Sequence, residues 1–153
     1  VLSIIHPGLK KLIFEKGWKT GLTDIQKIAI PIILNGENCI IEAPTAGGKT
    51  EAVFFPCFTK AAENKCDSVQ ILYLAPLRAL LNDIEERANK FSEACGLHCF
   101  KWHGDVSQND KIEAFKNPPN VLLTTPESLE AILLRKSNWQ DFFKNLQTIF
   151  SFF

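Results

Sequence analysis

A layered α/β domain, with helices covering both faces of a parallel sheet, is the fold this sequence predicts. Short apolar runs alternate with helix-period stretches from end to end, and a glycine-rich loop joins the first apolar run to a helix. A third observation sets the scale. At 153 residues and 46% hydrophobic content, the chain suits one domain that buries about two-thirds of its unfolded surface.

The elements follow in order. Leu9 to Lys16 has helical periodicity and stops at Gly17. Thr23 opens a second helix, with Gln26 at the spacing of a capping box; Pro31 kinks or restarts it, and Asn35-Gly36 ends it. Cys39-Ile40-Ile41 is a short strand that leads through a small-residue loop into a helix from Lys49 to Ala62. Val69 to Ala75 is a second strand, rich in residues suited to a buried sheet and closed by Pro76. Leu77 to Phe91 is an amphipathic helix, Leu97 to Trp102 a third strand and Ser107 to Lys116 a further helix. Asn120 to Thr124 is the fourth strand, Pro126 to Leu134 a helix, and Leu146 to Phe150 begins a fifth strand.

Composition removes several classes. Seventeen basic residues balance 17 acidic ones, so any nucleic-acid contact must be local, without a global basic field. No apolar run approaches the ~18 residues of a membrane span, and the N-terminus lacks the basic flank and long apolar stretch of a secretory signal. The chain contains no Met, and the expectation is that it begins as a processed or excised piece. Five cysteines without a framework spacing point to a reducing cytoplasm. Cys95, Cys99 and His103 can be read as metal ligands, with His98 nearby, but zinc sites usually pair close ligands with a distant second pair.

The chemistry concentrates in Ala43-Pro-Thr-Ala-Gly-Gly-Lys-Thr50, set between a predicted strand and a predicted helix. In that context a relaxed P-loop pattern has a mechanism. Inward-facing backbone N–H groups form an anion nest, and the helix start adds partial positive charge. Gly47 and Gly48 let the backbone approach phosphate, Lys49 reaches the β- and γ-phosphates, and the Thr50 hydroxyl holds Mg²⁺. The bland alternative is a glycine-rich turn with an exposed lysine. Binding of a nucleoside triphosphate is the stronger reading.

Other segments separate the P-loop classes. Gly17-Trp18 with Leu22-Thr23-Asp24-Ile25-Gln26 resembles the Q-motif region of superfamily 2 helicases, with Leu22 where a Pro often precedes the Thr. Pro76-Leu77-Arg78-Ala79-Leu80 resembles motif Ia, His103-Gly104-Asp105 a glycine-containing turn of the family, and Thr124-Thr125-Pro126-Glu127-Ser128-Leu129 motif Ib. Order and spacing agree over nearly the whole chain. Together they resemble the first RecA-like domain of a DEAD/DEAH-box helicase, nearer the Lhr-like and Ski2-like branches than the strict DEAD-box proteins.

The resemblance implies a three-layer RecA-like P-loop domain with a parallel sheet, C-terminally incomplete. It divides the chain into a helical Q-motif-like region over residues 1–36 and a partial ATP-binding domain over 37–153, one structural domain overall. It implies ATP and Mg²⁺ as ligands, held by Gln26, Thr45, Ala46, Gly47, Gly48, Lys49 and Thr50, with Thr50 on the metal. Single-stranded or partly duplex DNA or RNA would be gripped by Pro76, Arg78, Gly104, Thr125 and Pro126. Gln26 can pair with the adenine edge or serve as cap partner to Thr23. Arg78 is a phosphate grip or a helix-start cation, and Thr125 is a helix N-cap compatible with phosphate contact. Trp102 and His103 invite base stacking, although an aromatic at a strand end is more often core. Glu51 and Glu127 read as helix-start carboxylates.

The family's acidic pair is expected on the strand that begins at Leu146, where this chain reads Ser151-Phe152-Phe153. No carboxylate follows Asp141, and the resemblance implies a second RecA-like domain that these 153 residues do not include. The expectation is a fragment of an ATP-dependent helicase, truncated or frameshifted before motif II, that binds ATP without completing hydrolysis and leaves Phe150, Phe152 and Phe153 exposed. The alternative is a stand-alone nucleotide- and nucleic-acid-binding module. A P-loop kinase or transporter ATPase gives no reason for the loops after the second and fourth predicted strands.

Overall fold

The computed structural model describes residues 1–15 and 21–151. Gly17-Trp18, the end of the first predicted helix, Phe152 and Phe153 lie outside the described residues. The helices are α1 (Pro7–Glu15), α2 (Asp24–Leu34), α3 (Lys49–Glu63), α4 (Arg78–Ala94), α5 (Gln108–Lys116), α6 (Pro126–Arg135) and α7 (Trp139–Phe143). The strands are β1 (Ile71–Leu74), β2 (Cys99–Trp102), β3 (Val121–Thr124) and β4 (Thr148–Ser151). They form one parallel sheet in the order β2-β3-β1-β4. Every carboxyl end therefore points to the same edge of the domain.

Alternation along the strands sorts the core into two layers. Ile71, Tyr73, Val121 and Leu123 face a cluster with Leu9, Ile30, Phe54, Phe58 and Phe91, on the side of α1 to α4. Leu72 and Leu122 face the other, with Trp102, Ala114, Ile132 and Phe142, on the side of α5 to α7. Period-two residues buried on both faces are what a parallel sheet between helices requires. Phe54 meets Tyr73, Phe91 and Phe150 edge-on, with ring centroids 6.4, 5.8 and 5.6 Å away. Phe150 thus packs on the core, against the expectation that it would be exposed; Ile149, on the opposite face, carries the exposure at 61%.

A polar knot ties the amino ends of the strands. Asn120 Nδ2 donates to Cys66 O at 2.8 Å and to Gln70 Oε1 at 3.0 Å, while its Oδ1 accepts from the His98 N–H at 3.0 Å. Gln70 Nε2 in turn donates to Asn64 O at 2.9 Å and Ala61 O at 3.2 Å. With Gln70 and Asn120 buried, each bond also avoids the cost of an orphaned amide.

One predicted element is corrected. Cys39-Ile40-Ile41 joins no strand ladder, and Ile40 is 93% exposed. It lines a groove of about 720 Å³ together with residues of β4, and among the described residues it has no strand partner. A strand is defined by its partner, and the sheet has four described strands where five were predicted. Two smaller differences concern helices. Pro31 sits inside an uninterrupted α2, and α7 occupies a stretch without a predicted element of its own.

Candidate functional site

The loop from Ala43 to Thr50 turns tightly at its centre. The Gly47 N–H donates to Pro44 O at 3.0 Å, Ala46 takes φ 62° and Gly48 takes φ 81° as the N-cap of α3. Both glycines are required by space. A Cβ at Gly47 would stand 2.9 Å from Pro44 O, and one at Gly48 would stand 2.5 Å from Gln26 Nε2. The Lys49 ammonium folds across the loop, donating to Ala43 O and, at 2.9 Å, to Pro44 O. The first turn of α3 leaves the N–H groups of Lys49, Thr50 and Glu51 without an acceptor inside the helix, since its first bond runs from the Ala52 N–H to Gly48 O. Backbone donors, a helix start and a cation within reach of the loop's two sides fit a polyphosphate. Thr50, half-buried beside them, supplies one hydroxyl oxygen that suits a hard divalent cation.

Gln26 braces this loop from behind. Its Oε1 accepts from the Thr23 N–H at 3.0 Å, the return bond of the capping box, and its Nε2 donates to Gly48 O at 3.2 Å. The Thr23 hydroxyl lies 3.5 Å from Gly47 O. Gln26 is 1% exposed, so both ends of its amide work within the protein. Of the two sequence readings, the cap role is the one these bonds display.

Glu51 is where sequence reasoning missed a residue. It does stand in the first turn of a helix, as read, yet it is buried, and its Oε1 lies 3.3 Å from Nη1 of Arg87 in the middle of α4. No local spacing announces that pair, because the fold alone brings α3 and α4 together. Arg87, Lys49, Thr50 and Ser151 line the same groove, which places the loop at the carboxyl end of β4.

The other predicted residues gather at the same edge of the sheet. Pro76 and Arg78 follow β1, Gly104 follows β2, and Thr125-Pro126 follow β3. Arg78, at the start of α4, forms an ion pair with Asp105, and a Cβ at Gly104 would come within 2.9 Å of its Nη2. Thr125 caps α6 by accepting from the Ser128 N–H at 3.3 Å, with Pro126 opening the helix. Pro76, Arg78, Gly104 and Pro126 are exposed and Thr125 is buried. His103 Nδ1 accepts from the Asp105 N–H at 3.2 Å, and burial, then Lys101 and Arg78, push its pKa below the usual histidine value. Trp102, 5% exposed, is core, its ring 5.7 Å from that of Phe115. Cys95 and Cys99 face the apolar layer, and burial pushes both thiols up to about 12. They pack as small hydrophobes and do not gather with His103; no cluster of metal-binding side chains occurs among the described residues. Nor does any described helix have the length and apolarity to cross a membrane.

Residues 23–150 match the DEAD/DEAH box helicase family. The chain is 34% identical over 137 residues to the DEAD-box ATP-dependent RNA helicase CshC of Bacillus cereus, with 89% of the chain and 35% of that protein covered. It is 33% identical over 150 residues to the ATP-dependent helicase Lhr-Core of Methanocaldococcus jannaschii, covering 87% of the chain and 18% of that protein. It thus spans about a third or less of these relatives. Among solved structures, helicase Lhr of Mycobacterium smegmatis, bound to ssDNA and AMP-PNP, superposes with a TM-score of 0.82 at 26% identity, covering 96% of the chain and 20% of that one. The DUF1998 helicase MrfA gives 0.82 at 27% identity, over 96% and 23%.

Proposed function

This chain belongs to the DEAD/DEAH box helicase family, and on that premise we propose that it is the nucleotide-binding, strand-gripping first RecA-like domain of an ATP-dependent, Lhr-like helicase. Residues 37–153 hold the nucleotide and the strand; residues 1–36 brace the nucleotide loop through Gln26. The observation that carries the reading is a convergence. The Ala43–Thr50 loop and the loops bearing Arg78, Gly104 and Thr125 all open at the carboxyl edge of one parallel sheet, where such sheets place their ligands.

The geometry supports a division of labour. The N–H groups at the start of α3 and those of the loop outside the Gly47–Pro44 bond would receive the β- and γ-phosphates of ATP, and Lys49 would exchange its carbonyl partners for them. Thr50 would give one hydroxyl oxygen to Mg²⁺, which would supply charge neutralisation of the phosphates. Arg78, the Gly104 turn and the N–H groups after Pro76 and Pro126 hold the sugar-phosphate of a single strand without reading its bases. Such contacts serve DNA and RNA alike, and the Lhr structure with ssDNA and the RNA helicase CshC represent both. The chain as it stands has no Asp or Glu after Asp141, and Asp141 lies exposed in α7, so hydrolysis by this chain alone is expected to be negligible.

Titration with Mg-ATP and with fluorescein-labelled single-stranded DNA and RNA tests the reading. Binding of both is expected, with Lys49→Ala weakening ATP at least tenfold and leaving the circular dichroism spectrum unchanged. A chain that binds neither ligand refutes it. ATP turnover stimulated by a strand refutes the claim that the chain alone is catalytically incomplete.

A further inference from the structure

The groove that holds Lys49 and Thr50 has a second layer of charge. Glu51 follows Thr50 directly, is 7% exposed and sits in the turn assigned to the triphosphate. A buried carboxylate there repels phosphate oxygens through a medium that screens poorly. Its ionic partner is Arg87, which lines the groove and whose Nη1 lies 3.3 Å from the carboxylate. Arg87 comes from α4, the helix that starts at Arg78, and α3 and α4 are held in register by Phe55 and Phe58 against Phe91, with ring centroids 5.7 and 6.0 Å away. The aromatic packing fixes the separation of the helices, and the ion pair uses it.

We propose that Arg87 is a positioning residue of the nucleotide site that cancels the charge of Glu51, so that the loop meets a triphosphate as a net cation. This rests on the nucleotide reading above and adds what sets its affinity. Glu51 in turn keeps the Arg87 side chain against α3. Without Arg87, a buried, uncompensated carboxylate remains one residue from Thr50. Ligands should then suffer in proportion to their phosphate charge.

The test is calorimetric titration of the full chain with Mg-ATP and Mg-ADP, for wild type, Arg87→Met, Arg87→Lys, Glu51→Gln and the Glu51→Gln/Arg87→Met double variant. Arg87→Met is expected to weaken ATP about tenfold and ADP about threefold, the scale of one unscreened charge at several ångströms. The loss should shrink as salt rises. Arg87→Lys and the double variant should return ATP affinity to within about threefold of wild type. Glu51→Gln alone should bind ATP at least as well as wild type, and it carries the test if Arg87→Met fails to fold. A double variant as weak as Arg87→Met would mean that Arg87 contacts phosphate directly, and would overturn the proposal. Equal losses for ATP and ADP would overturn it as a merely structural lesion, and a tenfold loss on Glu51→Gln would overturn it as well. A wild-type chain that binds no nucleotide would refute the underlying reading instead.

Discussion

The side chain of Gln26 is hydrogen-bonded to the backbone of Gly48, Nε2 to O, at 3.2 Å, which fastens the start of α2 to the start of α3. The same amide closes the capping box on Thr23. One residue therefore stabilises two helix starts, and Gln26→Ala removes both bonds from a buried position. The expected cost is about 1–2 kcal/mol, a fall in Tm of about 4 °C. Thermal unfolding followed by circular dichroism measures it. An unchanged Tm would show that the brace contributes nothing to stability.

Ala46 gives the opposite sign. Its φ of 62° lies in the left-handed region, where a Cβ costs about 1–2 kcal/mol. Ala46→Gly relieves that strain and loses part of the gain to the greater freedom of the unfolded chain. A net rise of about 0.5 kcal/mol, roughly 1–2 °C in Tm, is expected, with ATP affinity within twofold of wild type. A lower Tm would refute the strain.

Most of the fold could be read from the chain because its signals are local. Capping at Thr23 and Thr125, prolines at Pro76 and Pro126 and the short apolar runs of β1 and β3 each depend on a few neighbouring residues. The failures depend on distant partners. Cys39-Ile40-Ile41 has strand composition, yet a strand needs a second backbone to pair with, and among the described residues this segment joins no ladder. Glu51 has the composition of a helix start, and nothing near it in sequence reveals that Arg87 will cover it. The tight turn through Gly47-Gly48 into α3 was legible because glycines set ahead of a helix are a local signal; the brace from Gln26 was half legible, as a cap.

The unpaired edge has its own consequence. Among the described residues β4 pairs only with β1, and Ile149 and Ile40 expose large apolar surface along the groove. Open apolar edges template association. Ile149→Lys is expected to raise the concentration at which the chain aggregates at least threefold, seen by light scattering, with Tm changed by less than about 1 °C because the side chain is solvated. Aggregation that ignores the substitution would place the sticky surface elsewhere.

Arg78 and Asp105 pair in solvent, where such a pair contributes about 0–1 kcal/mol, so the contact is cheap to open. Arg78→Ala should leave Tm within about 1 °C while lowering the salt slope of single-strand binding by about one phosphate contact. Asp105→Asn, which frees the guanidinium, should tighten that binding about threefold. Fluorescence anisotropy at several salt concentrations decides both. A slope that is the same in Arg78→Ala and wild type would remove Arg78 from the strand path.

His103 reports on that same corner through its titration. Burial disfavours the imidazolium first, Lys101 and Arg78 repel it, and Nδ1 already accepts a hydrogen bond from the Asp105 N–H. Its folded pKa therefore lies below the unfolded value of 6.5. The sign follows: the folded state binds fewer protons, so this residue's stabilising contribution is complete above pH 6.5 and fades as pH falls through the folded pKa. The lowered pKa favours the neutral ring and weakens its part in any electrostatic grip. Arg78→Ala removes a repelling cation and releases Asp105, an attracting anion, so both changes should raise the pKa toward 6.5. A bound phosphate backbone should raise it in the same direction. Imidazole NMR shifts recorded against pH, with and without a single-stranded oligonucleotide, measure each step. A His103 titration that stays put in both experiments would show that neither Arg78 nor the strand lies close enough to be felt.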